Sequence, residues 1–351
     1  MRQRGWTVIG ALALAVIASA VPLRGQSGSA GATPAKNYKV PHTAWGQPDL
    51  QGIWNNGTTT PLERPKDLAD REFLSDAEWA QRAKDVATRA LAENRPADAL
   101  ADVELAYNNE WWDRGVPLKR TSLIIDPPNG MFPPLTKAGQ ERVAARQAAR
   151  SKHGPADSWE DRPLQERCLL YHGVPAFPTG YNNNYLIVQT PDTVAIRYEM
   201  LTETRIIPID GRPHPGSGMR SWLGNARGHW EGDTLVVETT NFTPGMSNGA
   251  TPNSAQMTLR ERFTPMGPDQ IRYEAWVEDP VMLTAPYKID MPWHRNPNYE
   301  FFEYACHEGN VQIRGYITAT SPRFQKLREE LWAKQGELPS DEEAGGGGGA
   351  P

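Results

Sequence analysis

The chain has 351 residues and a formal net charge of −5, with 42 acidic against 37 basic residues. This balance argues against nucleic acid or an anionic lipid surface as the main partner. The 31 glycines, 31 prolines and 12 tryptophans are typical of a β-rich protein with many loops rather than of a helical bundle.

The first twenty residues have the pattern of a cleavable secretory signal peptide. Arg2 and Arg4 precede the almost wholly apolar residues 6–17, and alanines at positions 18 and 20 fit the site that signal peptidase cleaves. The alternatives are an uncleaved anchor helix or a buried core helix, but the apolar run is shorter than the roughly 20 residues that cross a bilayer. We therefore expect a periplasmic or secreted protein that is cleaved near Ala20 and not inserted in a membrane.

The rest of the chain divides into four stretches by composition. Residues 21–40 are small and polar and predict a disordered leader, and residues 336–351 predict a disordered tail. Residues 41–160 predict a helical and irregular N-terminal segment packed on a sheet. Residues 161–335 predict an antiparallel β domain with a C-terminal helix.

Three helices are predicted from their start signals. Ser75 and Glu78 form a capping box that opens a helix running to about Asn94. Thr136 caps a second helix, and Pro322 stands in the first turn of a third.

Short β-rich runs recur between turn signals from about Tyr185 to Tyr316. They read YLIVQT, TVAIRYEM, TRIIPI, TLVVETTNF, MTLRERF, QIRYEAWVE, YEFFEYA and VQIRGYI. The connections are too short for crossover helices, so neighbouring strands should pair antiparallel. The predicted fold is mainly β with flanking helices (α+β), as a lipocalin-like barrel or a strongly curved sheet, with a two-sheet sandwich as the alternative.

Several predicted strands carry charged side chains on one face. One interpretation is a solvated outer face with cross-strand Arg–Glu pairs. The other is a polar barrel interior that holds a small molecule. Under the second interpretation the candidate ligand-binding residues are Tyr171, Tyr185, Arg197, Glu199 and Arg205.

The chain has two cysteines, Cys168 and Cys306. An even count in an exported protein favours a disulfide between them, the alternative being two buried free thiols. Such a bond would bring His172 and His307 close enough to reach one pocket.

The residues around this predicted disulfide are candidates for chemistry. His172, His307, Glu303 and Tyr304 could perform acid–base catalysis, because histidine titrates near neutral pH and a carboxylate can orient it. His172 and His307 with Glu308 could instead bind a divalent metal, although the signal is weak, and purely structural histidines are the third alternative. No cofactor is predicted, since the sequence has no phosphate-binding loop, no GxGxxG, no GxSxG and no CxxCH.

A set of segments resembles a large group of exported bacterial proteins of unassigned function. They are SLIIDPPNGMFPPLT, ERCLLYHGVP, YNNNYLIVQTPDTVAIRYEM, TRIIPIDGRPHP, GHWEGDTLVVETTNF, LRERFTPMGPDQIRYEAWVEDP and YEFFEYACHEGN, and they cover most of residues 48–316. The resemblance implies a secreted or periplasmic β-rich domain. It carries over no activity and no catalytic residue.

Three functions remain open at this point. The first is an enzyme, a lyase, isomerase or hydrolase, that acts on a small molecule by acid–base catalysis with His, Glu and Tyr side chains. The second is a non-catalytic ligand-binding protein. The third is a structural or interaction module. The sequence gives neither the ligand nor an oligomeric state.

Overall fold

A computed structural model describes residues 37–91, 112–113, 115–154, 156–171, 173–245, 252–320 and 322–335. Ten strands dominate this part of the chain. Their bounds are β1 Gly52–Asn55, β2 Ile124–Asp126, β3 Asn184–Gln189, β4 Thr193–Tyr198, β5 Thr204–Pro208, β6 Asn225–Glu231, β7 Thr234–Thr240, β8 Thr258–Gly267, β9 Gln270–Glu278 and β10 Tyr287–Arg295.

The strands form one antiparallel sheet that curls into a nearly closed barrel. Their order is β5-β4-β3-β1-β10-β9-β8-β7-β6, and β2 pairs with β10 outside this path. Because nine strands alternate in direction, the two edge strands β5 and β6 run the same way, and they pack together without a ladder. A Cβ atom on Gly228 of β6 would lie only 2.9 Å from the side chain of Ile207, so a glycine permits this close approach. The prediction of a barrel-like antiparallel sheet is confirmed.

The barrel interior is filled by alternate side chains of the strands. In β9 one face, formed by Ile271, Tyr273, Ala275 and Val277, is wholly buried. Aromatic rings dominate this core, and Trp293 of β10 packs against several of them. Burial of these rings supplies a large share of the apolar area that stabilises the fold.

Four helices flank the sheet within the described residues. They are α1 Asp76–Leu91, α2 Lys137–Arg150, α3 Gln312–Thr320 and α4 Pro322–Gln335. The predicted start signals are confirmed. Ser75 and Glu78 exchange capping hydrogen bonds at the start of α1, and the Thr136 hydroxyl accepts from the backbone N–H of Gly139 at 2.9 Å. No helix in these ranges is long and apolar enough to cross a lipid bilayer.

Two predicted strands are wrong. YEFFEYA, residues 299–305, is an irregular loop, and VQIRGYI falls largely within helix α3. In α3 the side chains of Ile313, Tyr316 and Ile317 recur at helical spacing, three and four residues apart. Their β-branched and aromatic character suggested strands, but their spacing is that of a helix face.

The sheet positions are taken instead by strands that the sequence pattern did not predict. β6 and β10 are rich in polar residues, and Pro292, which has no backbone N–H, argues against a central strand at β10. Strands β1 and β2 come from the stretch at residues 41–160, so this stretch contributes to the sheet.

Candidate functional site

A disulfide joins Cys168 to Cys306, with their Cα atoms 5.7 Å apart, and confirms the predicted pairing. It ties the loop that follows β10 to the segment that precedes β3. His307 is exposed next to the bond, while His172 lies outside the described residues. The predicted pocket between the two histidines therefore stays a prediction, as does the role of Glu308, which is exposed on the same turn.

The loop held by the disulfide forms one wall of a cleft of about 700 Å³ at the barrel rim. The other walls come from the end of β1, the start of β3, the residue after β4 and the end of β10. We call it the Asn184 cleft. It is lined by Asn55, Gly57, Asp113, Gly115, Val116, Asn182, Asn184, Glu199, His294, Arg295, Asn296, Tyr299, Phe302, Glu303 and Tyr304.

Glu199 is the most firmly held carboxylate of the cleft, and only 8% of the residue is exposed. One carboxylate oxygen accepts two hydrogen bonds from Asn184, from the backbone N–H at 3.1 Å and from Nδ2 at 2.9 Å. The other oxygen accepts from the hydroxyl of Tyr299. The carboxylate is thus fixed in orientation before any ligand arrives.

Amide side chains extend this network across the cleft. The Oδ1 atom of Asn184 accepts from Asn55 Nδ2 and from Asn296 Nδ2, each at 3.1 Å. Asn55 Nδ2 also donates to the carboxylate of Asp113 at 2.7 Å. Strands β1, β3 and β10 and the loop at Asp113 are therefore joined by side chains that face one cavity.

Two titratable groups of the cleft, Tyr299 and His294, have pKa values that are shifted in opposite directions. Burial, then the hydrogen bond and the charge of Glu199, raise the pKa of Tyr299, so its hydroxyl stays protonated and donates. Burial lowers the pKa of His294 below its ordinary 6.5, so its imidazole is neutral at neutral pH. No side chain in the described ranges forms a hydrogen bond or ion pair with this imidazole ring.

Three of the predicted site residues, Glu199, Glu303 and Tyr304, line the Asn184 cleft. Tyr171 lies beside it. Burial, followed by the neighbouring hydroxyls of Tyr181 and Tyr304, raises the pKa of Tyr171 to about 12. The disulfide thus brings part of the predicted set together, through the loop that carries Glu303 and Tyr304.

Other predicted ligand-binding residues lie elsewhere. Tyr185 is buried inside the barrel, stacked on Trp293 with ring centroids 4.4 Å apart. Arg197 lies over the ring of Phe301 at 5.4 Å. Neither residue lines the Asn184 cleft.

Arg205 forms a buried ion pair within the barrel. Its guanidinium donates to both oxygens of Glu261, at 2.9 and 2.5 Å, and to the hydroxyl of Thr239 at 3.2 Å. The Tyr273 hydroxyl also donates to Glu261, at 2.7 Å. Burial alone would lower the pKa of Arg205, but the negative charge of Glu261 raises it, so the guanidinium stays charged.

His294, Tyr299 and the amide side chains of the cleft were not predicted from the sequence. The available signal was the clustering of asparagines at strand ends, in YNNNY at the start of β3 and in HRNPN at the end of β10. Such positions converge at the rim of an antiparallel barrel, where side chains can reach a ligand without filling the core.

Among the residues that the structure describes, no three His, Cys, Asp or Glu side chains are placed to hold one metal ion. Comparison of the chain with protein-family models, with curated proteins and with solved structures gives no match. The site is therefore interpreted from its own geometry.

Proposed function

We propose that this protein binds a small, neutral, hydroxyl-rich molecule, such as a saccharide, in the Asn184 cleft. The observation that carries the proposal is the buried carboxylate of Glu199, held by Asn184 and Tyr299 at the wall of a cavity of about 700 Å³. Cavities of this volume are typical of small-molecule sites.

The lining favours hydroxyl groups as ligand partners. Asparagine amides both donate and accept, and carboxylates accept, so together they match hydroxyls, which do both. The exposed ring of Phe302 and the ring of Tyr304 offer flat apolar surfaces to the C–H face of a sugar.

The charges of the cleft argue against an anionic ligand. Asp113, Glu199 and Glu303 contribute three carboxylates. The single guanidinium, that of Arg295, already donates to the carbonyls of Pro268 and Gln51 and lies over the Trp54 ring. An anion would therefore meet three carboxylates and one guanidinium whose donors are partly occupied, so its net interaction with the cleft is repulsive.

The location of the protein is part of the same proposal. A disulfide is typical of proteins that fold in an oxidising compartment. Together with the N-terminal pattern, it supports export to the periplasm or beyond, with cleavage near Ala20. Mass spectrometry of the protein recovered from outside the cytoplasm tests this proposal, because it identifies the first residue that remains after cleavage.

Acid–base catalysis on the bound molecule is the second candidate function. It is favoured by the lowered pKa of His294, a neutral base candidate in the same cleft as the protonated hydroxyl of Tyr299. Two groups with opposite protonation states are what proton transfer in a lyase, isomerase or hydrolase requires.

Calorimetric titration with a panel of neutral pentoses, hexoses and their disaccharides tests binding, with Glu199→Gln as the variant. The substitution keeps the size of the side chain but removes a charged acceptor, so we expect about tenfold weaker binding or more. Glu278→Gln is the matched control, because Glu278 is exposed at the end of β9 and does not line the cleft.

Two results would contradict the proposal. One is the absence of heat with every sugar of the panel, and the other is equal binding by Glu199→Gln and the wild type. NMR spectra of the same sugars after prolonged incubation test the catalytic candidate. Conversion of a sugar by the wild type that is lost in His294→Gln supports acid–base catalysis. If every sugar remains unchanged, the protein binds its ligand without catalysis.

A further inference from the structure

A second cavity, of about 520 Å³, lies between helix α1 and the loop at Asp113. We call it the Arg120 cavity. Among the described residues three arginines line it, Arg82, Arg89 and Arg120, against the single carboxylate of Asp113. The Asn184 cleft, which the same loop also lines, has the opposite balance of three carboxylates and one guanidinium. The two cavities therefore suit ligands of different charge.

Two of the arginines come from one face of α1. Arg82 and Arg89 are seven residues apart, about two helical turns, and Val86 lines the cavity between them. Neither arginine has a hydrogen bond or an ion pair in the part of the chain that the structure describes. The nearby carboxylate of Asp85 accepts from Gln81 Nε2 at 2.8 Å and does not line the cavity. Both guanidinium groups are therefore available to a ligand.

Arg120 supplies the third positive charge, and only 9% of this residue is exposed. Its Nη1 atom donates to the carboxylate of Glu72 at 2.6 Å, and its guanidinium lies 4.8 Å from the centre of the Phe73 ring. Its Nε atom is buried without a hydrogen-bond partner among the described residues. A guanidinium that is held in place and has unused donors is suited to an oxyanion, whose oxygens match its planar set of N–H groups.

The remaining lining indicates what else the ligand carries. It is mostly apolar, with Pro61, Val86, Trp112 and Leu118. The hydroxyl of Thr59, which has no hydrogen-bond partner within the described ranges, adds a donor. Cavities of this volume are typical of small organic molecules, and a bare inorganic ion would leave most of the space unfilled. The ligand should therefore combine a charged group with an apolar body.

We infer that the Arg120 cavity binds a small organic anion, an oxyanion such as a carboxylate or a phosphate ester on an apolar body. The oxyanion contacts Arg120 and the arginines of α1, and the apolar body packs on Trp112 and Val86. This site is separate from the one proposed for sugars. Its ligand is an anion, so the two proposals stand or fall on different titrations.

Calorimetric titration of the chain from residue 21 onward tests the inference with three probes that share one ring. They are phenylacetate, phenyl phosphate and the neutral 2-phenylethanol. We expect one or both anions to bind, and the neutral probe to bind at least about tenfold more weakly, because it lacks the charged acceptor. The stronger of the two anions identifies a carboxylate or a phosphate ester as the preferred group. The affinity should fall as sodium chloride rises from about 20 to about 300 mM, since salt screens the exposed charges.

Arg82→Gln combined with Arg89→Gln is the variant, because both side chains lie on the surface of α1 and their loss should leave the fold intact. We expect at least about tenfold weaker binding of the anions. Lys84→Gln combined with Arg142→Gln is the matched control. It removes the same two positive charges from exposed positions outside the cavity, and its affinity should equal that of the wild type. Circular dichroism confirms that each variant is folded.

Three outcomes overturn the inference. The first is a wild type that binds neither anion at concentrations up to about 10 mM, which would reveal even a weak site. The second is a neutral probe that binds as tightly as the anions. The third is equal anion binding by the wild type and by the double variant at Arg82 and Arg89.

Discussion

Glu261 is completely enclosed by the barrel, and its negative charge is balanced by Arg205. Glu261→Gln removes that balance while keeping the shape of the side chain. Breaking a buried ion pair by neutralising one partner costs about 3–5 kcal/mol, because the other charge is left uncompensated. We expect the free energy of unfolding, measured by urea denaturation, to fall by about this amount.

A matched substitution distinguishes burial from the mere loss of an ion pair. Glu231 also pairs with arginines, Arg260 and Arg262, but on the exposed surface. Glu231→Gln should therefore change the stability little. If the two variants lose equal stability, the interior of the barrel is hydrated and the Arg205–Glu261 pair is not the buried element described above.

The same residues show what a sequence can predict at the residue scale. Alternation along β9 places Tyr273 on the same face as Ile271 and Val277, and the structure buries this face inside the barrel. Arg205 was a candidate ligand-binding residue under the interpretation of a polar barrel interior, and its ion-pair partner was not predicted. Glu261 lies 56 positions further on and three strands away across the seam between β5 and β6, so only the closure of the sheet brings them together.

At the scale of single elements, the loop at Asp113 forms a wall of the cleft. Gly115 has a φ of +62°, and a Cβ atom there would overlap the carbonyl group of Gly57. Gly115→Ala must therefore push the loop away from β1 and break the bond between Asn55 and Asp113. We expect the same sugars to bind at least about tenfold more weakly, measured by calorimetry.

Gly232→Ala is the control for the backbone angle alone. Gly232 has a φ of +60° in the β6–β7 turn, and its missing Cβ atom would meet nothing within 4 Å. This variant should lose about 1–2 kcal/mol of stability, the cost of a left-handed alanine, and no affinity. Equal sugar binding by Gly115→Ala and wild type would show that the loop does not shape the site.

Elements with strong local signals were predicted and the others were not. The caps at Ser75 and Thr136 determine where helices begin, since they satisfy backbone N–H groups whatever lies around them. The strands β6 and β10 have no such local signal, because their polar residues are accommodated by neighbouring strands. About half of the cleft lining comes from the end of β10 and from the loop after it, which is why His294 and Tyr299 were missed.

At the scale of the whole molecule, the Cys168–Cys306 bond links two parts of the chain that are separated by 138 positions. The loop from Tyr299 to Tyr304 is irregular and partly exposed, and Cys306 follows it directly. The neighbouring Asn310 also reaches across the bond, donating to the Glu166 carbonyl at 3.3 Å. The disulfide therefore holds one wall of the Asn184 cleft against the body of the barrel.

Replacing both cysteines by serine should act on stability and on the cleft together. Opening a covalent loop of this size increases the entropy of the unfolded chain, and we expect a loss of about 2–5 kcal/mol in urea denaturation. Sugar binding should weaken as well, because Tyr299 would have to be ordered by the ligand and not by the bond. Sugar affinity that survives at wild-type strength would mean that the hydrogen bond from Tyr299 to Glu199 alone keeps the wall in place. Tyr299→Phe in the cysteine-free background then distinguishes the contribution of the disulfide from that of the hydrogen bond, since it removes the hydrogen bond and leaves the ring.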